Sequence, residues 1–256
     1  GVMLPAERKR RIVELVTERD GCSVARLATE LDFSKATIRR DLQELEDDGR
    51  IERSHGGAVP ASSVGQERPY GQREVDRLDA KQAIAARAVD LLQDAQVVSF
   101  DAGTTTMAVA RALPSEAGVE AVTNMPDLAT TLLDKGIEVT VTGGTLRRRT
   151  RALVGPTAQQ FLDDHHVDLL FVGTNSLDAT TGLTTPNEAE AAVKSRFVEQ
   201  ASRVVLVADS SKFDEQSFVT VADLDAIDTL VTDRTPDGAL AAALDEAGVT
   251  VLEADA

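Results

Sequence analysis

The chain of 256 residues has one cysteine, Cys22, one tyrosine, Tyr70, and no tryptophan. A single cysteine excludes an internal disulfide and any zinc site built from several thiolates, and its ordinary place is as a small buried apolar side chain. No apolar run reaches the roughly 18 residues that a membrane-crossing helix needs. No charged-then-apolar leader opens the chain. These absences lead us to expect a cytoplasmic protein without membrane association, long enough for one or two domains with substantial cores.

Lysine is scarce as well, with 6 lysines beside 21 arginines and 25 aspartates, and the formal charge is −16. Such a charge argues at first sight against nucleic acid, but it is unevenly spread. Residues 1–60 hold 11 basic and 12 acidic side chains; residues 61–256 hold 16 and 31. The acid belongs to the second part. The bias suits a very salty cytoplasm, such as that of a halophilic archaeon, where the Debye length falls to about 3 Å at 1 M and phosphate repulsion is screened.

What is present begins with Ser34 to Asp48, SKATIRRDLQELEDD. Ser34 is placed to cap a helix. Ile38, Leu42 and Leu45 make one apolar stripe. Lys35, Thr37, Arg39, Arg40 and Gln43 form a polar, cationic face off that stripe, and Gly49 offers a C-terminal stop. Before it, residues 5–19 read as a first helix, with Arg8, Lys9, Arg10 and Arg11 as either a phosphate-contacting cluster or a solvated face. Ser23 starts a short second helix. Two short helices and a cationic third make a helix-turn-helix. Arg50 to Val59 then reads as a small hairpin, a wing, from which Arg53 and His55 could reach phosphate or a minor groove. His55 is otherwise a turn residue, and no second metal ligand lies near it.

The run SVARLATELDFSKATIRRDLQELEDDGRIERSHGGAV resembles the N-terminal domain of the DeoR family of sugar-operon regulators. That resemblance implies that Ser34, Lys35, Thr37, Arg39, Arg40 and Gln43 face the groove. Arginine can take guanine's paired acceptors and glutamine can pair with adenine.

Residues 60–78 hold two prolines, two glycines and polar residues without an apolar stripe, and 61–78 read as a linker, packed in part around Tyr70. From residue 79 strands alternate with helices, which means a parallel α/β sheet covered on both faces. Ligands in such sheets bind beyond the carboxyl ends of strands. Five small polar groups stand at such ends: Asp101 to Thr106 (DAGTTT), Thr123-Asn124, Thr142 to Gly144, Gly173 to Asn175 and Asp209 to Lys212. Each alone is a capped turn. Together they suit a phosphorylated, many-hydroxyl molecule, with the first amides of a helix after Gly103 and Lys212 as a point charge. Arg147, Arg148, Arg149 and Arg151 are a basic cluster in the acidic half, either anion-binding through Arg147 or a surface contact.

This half is similar to the DeoR-family sensor domain, which is related in fold to ribose-5-phosphate isomerase. The resemblance implies an effector pocket of Asp101, Gly103, Thr104, Thr105, Thr106, Asn124, Gly144, Arg147, Asn175, Glu188, Lys194 and Lys212. It departs from the isomerase: GTNSLD offers only Asp178, and TTPNEAE lacks a glycine run. The expected chain is therefore an α/β protein with a winged helix-turn-helix over residues 3–60, a linker over 61–78 and a Rossmann-like sensor over 79–256. It would act as a homodimer or homotetramer repressing sugar catabolism genes (hexose, fructose, glucose or glycerol routes) at double-stranded operator DNA, relieved by a phosphorylated sugar, with no metal, cofactor or catalysis. An isomerase with an accessory DNA-binding domain and a transcriptional activator are the alternatives. If the acidic bias is an adaptation to salt, the unfolding midpoint rises from low to molar KCl; a midpoint that ignores salt removes that explanation.

Overall fold

The computed structural model describes residues 3–48, 50–54, 56–61 and 65–255. Contacts divide the chain into two units, residues 1–63 and 64–256. The first contains helices α1 (Pro5–Glu18), α2 (Val24–Leu31) and α3 (Lys35–Asp47), and strands β1 (Cys22–Ser23), β2 (Ile51–Ser54) and β3 (Gly57–Pro60) in the order β1-β3-β2. Ile12, Leu15 and Val16 of α1 meet Leu27 and Leu31 of α2 and Ile38, Leu42 and Leu45 of α3 in one buried cluster that includes Cys22. Ser23 Oγ accepts from the Arg26 amide and Ser34 Oγ from the Thr37 amide, which sets where α2 and α3 begin. The expected stop at Gly49 lies outside the described residues.

The wing is the β2–β3 hairpin, paired from Ile51↔Pro60 to Ser54↔Gly57. Its second strand, β3, also pairs with β1, through Ser23↔Gly57, which the sequence pattern did not indicate. Gly57 makes this possible. A Cβ there would lie 2.3 Å from the Cys22 carbonyl oxygen, so only glycine lets the two backbones meet.

A buried ion pair ties α1 to α3. Arg8, 5 % exposed, donates to both oxygens of Asp41, 1 % exposed, with Nη2 to Oδ1 at 3.0 Å. The guanidinium also stands over the Phe33 ring, 4.5 Å from its centroid. Arg8 is thus no phosphate contact, contrary to one reading of its cluster. The other members have acidic neighbours too: Lys9 pairs with Glu44, and Arg10 and Arg11 with Glu14.

The second unit opens with α4 (Tyr70–Val75) and α5 (Leu78–Val89). Then follow β4 (Val97–Phe100), α6 (Thr104–Ala112), β5 (Glu120–Thr123), α7 (Pro126–Leu133), β6 (Val139–Val141), a β7–β8 hairpin (Thr145–Leu146, Leu153–Val154) and α8 (Pro156–Asp163). The rest is β9 (Leu169–Val172), β10 (Ser176–Asp178), β11 (Gly182–Thr185), α9 (Glu188–Gln200), β12 (Val204–Val207), β13 (Val219–Ala222), β14 (Thr229–Thr232), α10 (Gly238–Glu246) and β15 (Thr250–Glu253). Seven strands form one sheet in the order β15-β14-β12-β9-β4-β5-β6, every pair parallel. Its central strands are buried throughout, as LLFV in β9 and VVLV in β12 require. Strands β10, β11 and β13 make a separate antiparallel sheet; the expected alternation of single strands and helices did not contain it.

The stretch expected as a linker departs most. From residue 65 it belongs to the second unit. Tyr70 is 2 % exposed, its amide donates to the Arg149 carbonyl at 2.9 Å, and α4 begins there. Burying the aromatic ring holds the segment against the sheet domain. For the first unit, replacing Asp41 by Ala leaves the Arg8 charge buried and unmatched, at a cost of about 3–5 kcal/mol. In urea, a Asp41→Ala chain should lose the helical signal of this unit before the second unit unfolds.

Candidate functional site

On the first unit, Lys35, Arg39 and Arg40 are exposed at the start of α3 and, among the described residues, enter no ion pair. Most other helical cations of this unit lie against carboxylates: Arg8, Lys9, Arg10, Arg11, Arg19 and Arg26. The unmatched positive charge therefore collects on one helical face. Thr37 is half-buried and its hydroxyl lies 2.9 Å from that of Ser34. Gln43 is exposed and donates to Glu46 and Asp47. Arg53 is not presented as expected. Its guanidinium folds back to the Arg39 carbonyl at 3.5 Å, its amide donates to Glu46, and its Nε is buried without a partner. It braces the wing against α3. His55 lies outside the described residues.

On the second unit, chain order decides where a ligand can sit. From β4 the sheet grows one way through β5 and β6, and the other way through β9, β12, β14 and β15. The loops leaving β4 and β9 therefore diverge and open a crevice at their carboxyl ends. Ala102, Gly103, Thr104 and Thr105 line it from the first loop, and Gly173, Thr174 and Asn175 from the second. Arg73 of α4, Lys81 of α5, Glu190 and Lys194 of α9, and Asp209 and Lys212 complete it, with Asp76 at the end of α4. The first amides of α6 have no acceptor within the helix, as at any helix start, and attract anions.

Asp101 stands beneath this crevice and is 1 % exposed. Its Oδ1 accepts from the Gly173 amide at 2.9 Å, and its Oδ2 pairs with Lys194 Nζ. One carboxylate thus joins the loops on both sides of the opening to α9. Thr106 and Asn124 are also braces: Thr106 donates to the Asp101 and Gly103 carbonyls, and Asn124 holds the Ala102 amide and the Leu153 carbonyl. Neither lines the crevice. Gly144 does not line it either; with φ +111°, a Cβ there would meet the Val154 carbonyl oxygen at 2.5 Å, so its smallness serves the approach of β8.

Arg147 and Glu188 also stand elsewhere. Arg147 lies between Glu67, at 2.5 Å, and Glu190, at 2.6 Å. Glu188 is exposed, whereas Glu190, two residues on, is buried and also accepts from Thr150. The Asn187 side chain caps α9 by accepting from the Glu190 amide. Of the expected pocket residues, Gly103, Thr104, Thr105, Asn175, Lys194 and Lys212 do come together at the crevice.

Two family descriptions match the chain: a DeoR-like helix-turn-helix domain over residues 8–64 and a DeoR C terminal sensor domain over residues 76–234. The HTH-type transcriptional regulator GlpR of Haloferax volcanii is 59 % identical over 98 % of both chains. The HTH-type transcriptional repressor GlcR of Bacillus subtilis is 34 % identical over 98 % of this chain and 96 % of its own. The chain belongs to the DeoR family of transcriptional regulators. Its first unit is the family's DNA-binding domain and its second the sensor. These relatives are regulators, which decides against the isomerase alternative. Among solved structures, a ribose 5-phosphate isomerase A from Methanocaldococcus jannaschii is similar over 54 % of this chain and 55 % of its own, at 21 % identity and a TM-score of 0.41, too distant to bear on activity.

The sensor's cations were only partly legible beforehand. Arg73 lay in the supposed linker and Lys81 in an unremarked helix. Scarcity was the missed signal: half of the chain's 6 lysines, Lys81, Lys194 and Lys212, line one crevice. Burial pushes the Lys81 ammonium down to about 8 and the Lys194 ammonium down to about 7, the latter aided by the nearby Arg73 charge. Burial also lowers Lys212. Among the described residues no cluster of histidine, cysteine and carboxylates could hold a metal, and no helix is long and apolar enough to cross a membrane. An anion held here needs the lysines protonated, so binding weakens as the pH rises through the range from about 7 to 9. Calorimetric titration with sulfate, whose own charge is constant there, should show the decline; a flat profile would put the ammoniums out of the anion's reach.

Proposed function

We propose that this regulator represses genes of sugar catabolism, in a hexose or glycerol route, and releases its operator when a phosphorylated sugar occupies the crevice between the loops after β4 and β9. The observation that carries the reading is the meeting, at that divergence, of a helix start, hydroxyl and amide side chains, and the cations Arg73, Lys81 and Lys212. A phosphate matches the cations and the helix amides, and a polyol matches Thr104, Thr105, Thr174 and Asn175. Repression rather than activation is favoured by the relatives' names, GlcR among them.

The DNA is read by residues 3–60, through the exposed face of Lys35, Arg39, Arg40 and Gln43, with Ser34 and Thr37 at its start. The metabolite is sensed by the unit that follows, including residues 65–78. One helix-turn-helix reads few base pairs, so the working form is a homodimer or homotetramer on paired half-sites in the cytoplasm. Binding free energy relieves repression only if the sugar prefers the form that does not hold DNA.

Arg40→Ala should abolish promoter-fragment binding in gel shifts at matched salt while leaving thermal stabilisation by sugar phosphates unchanged. Lys212→Ala should do the reverse: normal binding to DNA, but release only at sugar-phosphate concentrations raised at least about tenfold, the equivalent of one lost charged contact. Intact gel shifts for Arg40→Ala, or normal release for Lys212→Ala, would each remove the corresponding half of this assignment.

A further inference from the structure

The crevice encloses about 30 Å³. That is room for one or two water molecules, whereas small-molecule pockets span about 300–1,000 Å³. A sugar phosphate is larger than this space, so the lining must shift to admit one. Three walls are anchored deeply: the loops after β4 and β9 are joined through buried Asp101 and Lys194, and the Asp209 to Lys212 turn follows central strand β12. The fourth is α4, six residues long, which supplies Arg73.

Apart from the buried Tyr70 ring and its amide bond to the Arg149 carbonyl, the fastenings of α4 are polar. Lys81 Nζ donates to the Arg73 and Asp76 carbonyls, the latter at 2.6 Å. Glu74 pairs with Arg111 at 2.8 Å on the surface. The Tyr70 ring is buried and lies beneath the Arg151 guanidinium at 4.9 Å, but its hydroxyl is buried without a hydrogen-bond partner. Arg73 Nε is likewise buried and unpartnered. At the start of α4, Pro69, Tyr70 and Gly71 border an open cleft of about 500 Å³. The ammonium that fastens the helix is thus itself a crevice cation. An anion that draws Lys81 toward it takes away two of the bonds holding α4.

We infer that α4 is the wall that yields: the effector enters by drawing Lys81 off the α4 carbonyls and displacing this helix, the segment through which the sensor continues into the DNA-binding domain. The inference rests on the phosphosugar reading of the crevice. It makes α4 a latch, closed without effector, whose undocking carries the signal. The cost of opening lowers apparent effector affinity by the fraction of molecules that are open.

The chain carries its own probe, because Tyr70 on α4 is the one tyrosine and there is no tryptophan. The full-length protein is titrated with glucose 6-phosphate, fructose 1-phosphate, fructose 6-phosphate and glycerol 3-phosphate, following tyrosine fluorescence beside calorimetry. A saturating change in Tyr70 emission, with the calorimetric midpoint, is expected for whichever compound binds. Arg111→Ala, which removes a fastening of α4 and changes no residue lining the crevice, should tighten that binding about two- to fivefold, as loss of a surface ion pair would. Binding with unchanged Tyr70 emission and an unchanged Arg111→Ala affinity overturns the latch and leaves the phosphosugar site standing. Absence of binding by every compound overturns both.

Discussion

The sensor depends on one carboxylate. Asp101 ends β4 at the place where the sheet's two halves part, and its two oxygens hold different partners: the Gly173 amide after β9 and the Lys194 ammonium on α9. A lone carboxylate at this depth would be strongly disfavoured. Paired and hydrogen-bonded, it fixes the distance between the loops that frame the crevice. Thr106 and Asn124 extend the same bracing, each using its polar atoms on neighbouring backbone. The hydroxyl-rich run after β4 therefore divides its labour. Thr104 and Thr105 face the crevice, and Thr106 holds the loop that carries them.

A related economy of charge explains how an acidic chain can grip an acidic polymer. In the DNA-binding domain most helical cations are matched by nearby carboxylates, with Arg8 and Asp41 buried as the tie between α1 and α3. The cations left unmatched at the start of α3 are those on its exposed face. Net charge near zero for residues 1–60 thus coexists with a locally positive exposed face on α3. The acid of the remaining chain sits on the sensor.

In the sensor, positive charge is likewise held back for one place. Glu190 and Asp209 line the crevice yet are bonded to Arg147 and Arg77, outside its lining. Asp76 is paired with Arg68. The carboxylates beside Arg73, Lys81 and Lys212 thus divide their charge between these cations and partners outside the crevice. Three of the chain's 6 lysines stand here, in a chain whose cations are mostly arginine. A compact ammonium on a flexible stem can exchange carbonyl acceptors for phosphate oxygens, which a rigid guanidinium fork does less readily.

The sequence by itself determined the two-part plan. Period-3.6 stripes in residues 5–47, caps at Ser23 and Ser34, and apolar strands ending in small polar loops are local signals, and local chemistry sets them. It also indicated the family, because the helix-turn-helix and the strand-end loops are contiguous motifs. Tertiary structure alone decided the rest. Whether Glu188 or Glu190 turns inward, whether Arg53 points to solvent or to α3, and whether Arg147 meets an anion or Glu67 depend on partners far away in the chain. Most of all, residues 65–78 looked like a linker because their one aromatic group, Tyr70, has no apolar companion three or four residues on. Its burial is supplied by a distant surface, and with it α4 and Arg73 become part of the sensor. Hydrophobic periodicity reports what a segment offers to a core; it does not report which core will receive it.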